Sequence, residues 1–152
     1  MRDTILRRDP LAALARVAVL GAALLAGCGG ARSAGGPPPI EIGARCSNCG
    51  MRIEDLAFAS ERQLGGAWLP YESIECLIAD MGKRPGGTAY VPDHDTKTLH
   101  AATDMWIVKG NFPSPMGGGF AAFADRAAAD TLAAATEGTV DRLEAFLAGG
   151  GR

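Results

Sequence analysis

Apolar residues occur along this chain as one solid block followed by short, periodic groups. The block, Val17 to Ala26, is ten residues long, too short for an ordinary membrane-spanning helix. The periodic groups begin near Ile40. Ala57-Phe58-Ala59-Ser60-Glu61 predicts a strand, Gly65-Gly66 a hairpin turn, and Ala67-Trp68-Leu69 a returning strand. Ser73 is placed to cap a helix running to Met81, because Ile74, Leu77, Ile78 and Met81 share one helical face. Gly82 takes the place of a C′ glycine. Thr88 to Val91 predicts another strand, stopped by Pro92. The second half echoes this order. Met105 to Val108 is apolar and β-prone, Asn111 to Gly119 is a Gly/Pro-rich turn region, and Gly119 to Phe123 predicts a strand. Asp125 is placed to cap an alanine-rich helix reaching Ala135. Thr139 is placed to cap a last helix with Val140, Leu143 and Leu147 on one face. The expected class is therefore α+β, with a strand–strand–helix–strand unit used twice.

The solid block belongs to a leader. Arg2, Arg7 and Arg8 form a basic stretch before it, and it ends in Leu25-Ala26-Gly27-Cys28. That ending resembles the bacterial lipobox, in which the peptide is cut before a cysteine that then carries lipid. The expected division is a signal peptide over 1–27, a lipid-anchored tether over 28–39 and a folded domain over 40–152. The tether is rich in Gly, ends in Pro37-Pro38-Pro39 and has no apolar period. Cutting at Cys28 removes four basic and two acidic side chains, so the net charge moves from −2 to −4. No basic stripe remains, which argues against a nucleic-acid partner. Export also places the remaining thiols where disulfides can form.

The densest chemistry lies in Arg45-Cys46-Ser47-Asn48-Cys49-Gly50-Met51. Two thiols and a thioether stand close together, and such soft donors select Cu(I), zinc or iron–sulfur clusters. If the segment is extended, Cys49 and Met51 point to the same side. Alone, the Cys-x-x-Cys pair is compatible with a disulfide, a redox pair or half a zinc site. A closed zinc site wants four ligands, and Cys76, His94 and His100 offer no paired spacing. Cys76, Met81 and Met105 read as core residues, and His94 as a solvated loop residue. Met116 stands apart, an apolar residue in the turn Ser114-Pro115-Met116-Gly117 with no periodic partner.

Together Cys46-Ser47-Asn48-Cys49-Gly50-Met51, Ser114-Pro115-Met116-Gly117 and the upstream lipobox resemble the NosL family. These are membrane-anchored copper-binding proteins that accompany nitrous-oxide reductase. The likeness spans about Cys46 to Phe146 and includes Tyr71 to Met81 and Phe120 to Ala129. Ser114 stands where the family often has Thr. The resemblance implies a fold shared with the organomercurial-lyase accessory domain, built from two strand–strand–helix–strand units. It implies Cu(I) held by Cys49, Met51 and Met116, with Cys46 a further candidate. It also implies two partners, nitrous-oxide reductase and its membrane maturation transporter.

The resulting expectation is a periplasmic, lipid-anchored Cu(I) carrier that catalyses no reaction. Two rivals remain at this level. One is a thiol–disulfide oxidoreductase using Cys46 and Cys49. The other is a structural lipoprotein whose loop is stapled by a disulfide or zinc.

Overall fold

The structure is a computed structural model that describes residues 36–149. The expected signal peptide, the lipidation site Cys28 and most of the tether lie outside the described residues. The first unit comprises β1 (Ser60–Leu64), β2 (Ala67–Tyr71), α1 (Ile74–Lys83), β3 (Thr88–Pro92) and β4 (Leu99–Ala101). A short 3-10 turn at Ala102–Asp104 leads to the second. There β5 (Trp106–Lys109) and β6 (Phe120–Phe123) precede α2 (Arg126–Ala135), β7 (Thr139–Asp141) and α3 (Leu143–Ala148). The two antiparallel sheets have the orders β2-β1-β3-β4 and β6-β5-β7. In both, the first strand of the unit lies between the second and the third. The fold is thus α+β with one strand–strand–helix–strand unit repeated. Among the described residues, no helix is long and apolar enough to cross a membrane.

Local chemistry accounts for most element ends. Gly65 and Gly66, with φ of 59° and 85°, close a two-residue hairpin that other residues would strain. Ser73 Oγ accepts the Cys76 N–H at 3.2 Å and starts α1. Asp125 caps α2 by accepting the Ala127 N–H.

Four expectations are corrected. The strand expected at Ala57 to Glu61 starts only at Ser60, because Asp55 draws the N–H groups of Ala57, Phe58 and Ala59 into a turn. Helix α1 passes through Gly82, since the Arg84 N–H still reaches Asp80 O and the Arg84 side chain grips the Asp80 carboxylate. Thr139 caps no helix. It opens β7, which fills the free edge of β5 and sets Val140 opposite Val108, and α3 begins only at Leu143. His94 is no plain solvated residue, for its ring lies 5.4 Å from both Phe58 and Phe123.

The main core is shared between the units. Tyr71, Ile74, Cys76, Leu77 and Val91 of the first pack with Met105, Ile107, Phe120, Ala122 and Leu143 of the second. Each fully buried Ile or Leu here contributes roughly 1.5–3 kcal/mol. A second cluster joins Val108, Ala121 and Phe123 to Ala129 and Ala133 of α2. The residues of β6 therefore alternate between two cores, which is why Phe120-Ala121-Ala122-Phe123 is an unbroken apolar run. Backbone bonds stitch the units together. The His94 N–H donates to Ala122 O at 2.8 Å, and the buried Asp93 accepts the Ala124 N–H at 2.8 Å. Beneath α1, the buried Arg62 donates to Asp80 at 3.0 Å and Tyr71 donates to the same carboxylate at 2.7 Å. Burial alone would raise Asp80, but these donors and Arg84 hold it below its usual value. Arg62 also donates to the carbonyls of Arg84 and Gly86. This network locks the end of α1 onto β1.

Candidate metal centre

The Cys-x-x-Cys segment forms the tip of a narrow turn. Arg45 and Arg52 face each other in an antiparallel bridge. The Cys46 N–H donates to Met51 O at 2.8 Å, and the Gly50 N–H donates to Cys46 O at 2.9 Å. Gly50 sits at φ +79°, a left-handed conformation that a side chain would oppose. Cys49 and Met51 are thus joined through a turn, and the extended geometry expected from spacing is not adopted.

Two contacts press this turn onto the domain. The Ser47 N–H donates to Pro70 O in β2 at 2.8 Å. Lys83, at the end of α1, donates to Asn48 Oδ1 at 3.0 Å. The turn is therefore held between β2 and the end of α1, and Cys76 occupies the first turn of that helix. The sulfurs of Cys46, Cys49 and Cys76 lie within 4.8 Å of one another. All three are free thiols, with Cys46 and Cys76 buried and Cys49 exposed. Cys76 is a core residue, as its sequence setting indicates, yet its sulfur also belongs to this cluster. Its link to Cys46 and Cys49 is created by tertiary docking, and only the shortage of cysteines in the chain hints at it.

The thiols differ electrostatically. Burial raises Cys46, but hydrogen bonds from the backbones of Cys49, Glu72 and Asn48 outweigh it and hold the thiol below its usual value. Cys49 is raised, by burial first and also by the neighbouring Cys46 sulfur. Burial pushes Cys76 up to about 12. A soft cation would displace the protons and take the place of the missing positive charge.

The chain resembles a solved structure, the crystal structure of the copper chaperone NosL from Shewanella denitrificans. The TM-score is 0.62 at 18% identity, covering 72% of this chain and 93% of that one. The fold is NosL-like. No protein-family model matches the chain, and no curated protein does.

Within this NosL-like fold, the two candidate methionines are conspicuously exposed. Met51 is 46% and Met116 44% exposed, and with Ile42 they are the large apolar side chains most open to solvent among the described residues. A depression of about 480 Å³ is lined by Met51, Arg52, Glu54, Asp55, Glu72 and Pro115. It brings the turn of the first unit beside the Ser114–Gly119 loop of the second. That loop is held from below by α1. Glu75 Oε1 accepts the Ser114 hydroxyl at 2.7 Å and the Gly118 N–H at 3.1 Å. Ser114 Oγ in turn accepts the Gly119 N–H at 3.0 Å. Glu75, adjacent to Cys76, carries no sequence signal of this role beyond its place in the first helical turn.

Proposed function

We propose that this chain is a Cu(I)-binding carrier, anchored by lipid on Cys28 outside the cytoplasm. The observation that carries the reading is the sulfur cluster on a NosL-like fold, with one thiol exposed; Met51, two residues from that thiol in the chain, and Met116 are open to solvent. Cys49, Met51 and Met116 would hold Cu(I) at the surface, with Cys46 as a further sulfur. Thiolate supplies charge and affinity, while thioethers supply softness with no proton to lose. A surface site with few ligands leaves one side of the ion open to an acceptor. The family resemblance points to nitrous-oxide reductase as the acceptor and to its membrane maturation transporter as the intermediary. A tether would raise the effective concentration of the domain at the membrane.

The electrostatics weigh against the oxidoreductase rival. That chemistry wants an accessible thiol of lowered pKa. Here the exposed Cys49 is raised and the lowered Cys46 is buried. The zinc rival wants four ligands, and the cluster among the described residues offers three.

The test is competition between Cu(I) and Zn(II) in reducing, anaerobic buffer, read against chromogenic chelators. The expected outcome is one Cu(I) per chain and a much weaker hold on Zn(II). Equal or tighter zinc binding would sink the reading.

A further inference from the structure

Three sulfurs, those of Cys46, Cys49 and Cys76, converge in the structure, and one of them, Cys49, also belongs to the proposed surface site. A thiolate–metal bond of about 2.3 Å places the sulfurs of a planar three-coordinate ion roughly 4 Å apart. The sulfurs of Cys46, Cys49 and Cys76 already lie within 4.8 Å of one another, so small side-chain rotations would close them on an ion. We propose that the chain has a second, inner Cu(I) position formed by Cys46, Cys49 and Cys76. The ion moves between it and the surface position by exchanging ligands around the shared Cys49. This deepens the carrier reading and rests on it.

The surroundings suit an inner position. Cys46 is 3% and Cys76 1% exposed, both within the main apolar core, so water is kept from the ion. Cys49 forms the only exposed wall of the trio. Cys76 stands in the first turn of α1, where the positive end of the helix dipole favours the anionic complex. The copper stays Cu(I) throughout, and each thiol that joins the ion gives its proton to solvent. Moving outward, the ion would trade the thiolates of Cys46 and Cys76 for the thioethers of Met51 and Met116. That trade swaps charged, buried donors for neutral, exposed ones. The inner position would retain copper, and the outer one would present it.

The experiment uses the full chain carrying Met51→Leu and Met116→Leu together, which removes the surface thioethers and leaves every thiol in place. Cu(I) alone is the probe, titrated against a chelator under reducing conditions. The copper-edge X-ray absorption and the Cβ resonances of the cysteines are read on the same samples. The inference expects the double variant to bind one Cu(I) through a three-sulfur shell, with the Cβ resonances of Cys46, Cys49 and Cys76 shifting together. Adding Cys76→Ser should then reduce the shell to two sulfurs. Wild-type chain should show the Cys76 shift as well, a readout that needs no substitution and so survives a variant that fails to fold. If wild type binds Cu(I) but its Cys76 resonance stays unmoved, and the double variant loses copper, the inner position is overturned while the carrier reading stands. If wild type binds no Cu(I), the carrier reading falls and takes the inner position with it.

Discussion

A methionine left 44% exposed gives up much of the transfer energy that its side chain could gain by burial, so packing is a poor account of Met116. Replacing it by leucine keeps volume and apolarity and removes the sulfur. Met116→Leu should cost less than about 1.5 kcal/mol of stability and should weaken the thioether signal at the copper edge as the ion falls back on the thiols, with both measured on one sample. An unchanged thioether signal at the copper edge would remove Met116 from the site. A different residue-scale expectation concerns Glu61. It is 4% exposed, and its Oε2 has no hydrogen-bond partner. Burial raises its pKa from 4.5 to about 6. The folded state thus prefers the protonated acid, so this stabilising contribution is full below 4.5 and is lost as pH rises through about 6. Glu61→Gln removes the charge that must otherwise be buried. At about pH 8 the variant should be more stable than wild type by up to about 2 kcal/mol, and at about pH 4 the two should match. Urea unfolding at both pH values reads the difference, and a variant less stable at pH 8 would refute it.

At the scale of elements, the Ser114–Gly119 loop depends on helix α1 more than on its own sequence. One carboxylate oxygen of Glu75 takes two donors from it, and a Cβ at Gly118 would meet Glu75 Cγ at 2.6 Å. Glu75→Ala should therefore loosen the loop that carries Met116. The affinity of the surface position for Cu(I) should fall by about ten- to a hundredfold, the usual range for removing a group that orients a ligand. The copper edge should lose its thioether component, while Glu75→Gln, which keeps the accepting oxygen, should restore it. Intact thioether ligation in the alanine variant would refute this role. The same scale shows how local signals compete with edges. Thr139 is a sound cap in isolation, but the unpaired edge of β5 draws Thr139–Asp141 into a strand. Gly82 is a plausible stop, but the Asp80–Arg84 pair carries the helix past it.

For the molecule as a whole, the decisive feature is a core shared by both units. Tyr71, Leu77 and Val91 are fully buried in one cluster with Met105, Ile107, Phe120, Ala122 and Leu143 of the second unit. The units repeat a topology, and although the second has a smaller cluster of its own against α2, the main core is closed by residues of both. Unfolding should be a single cooperative transition. A chain ended after Asp104 retains every strand of the first sheet and should still show no cooperative transition in urea by circular dichroism. A sharp transition from that truncated chain would show the units to be independent. The proposed copper site follows the same logic, since its candidate ligands Met51 and Met116 belong to the first and second units.

Signals carried by neighbouring residues were readable before any fold was known. The Gly65-Gly66 hairpin, the Ser73 and Asp125 caps and the amphipathic period of α1 each arise within a few residues of chain. So does the sulfur-rich turn from Cys46 to Met51, as does the misfit of Met116 in its loop. The docking of distant segments was not readable. Cys76 joins Cys46 and Cys49 because Ser47 bonds to Pro70 and Lys83 to Asn48, contacts that exist only after β2 and α1 have packed. Glu75 acquires its hold on Ser114 and Gly118 in the same way. Periodicity and spacing report which face of an element is apolar, whereas the partner that covers the face is chosen by the free energy of the whole core.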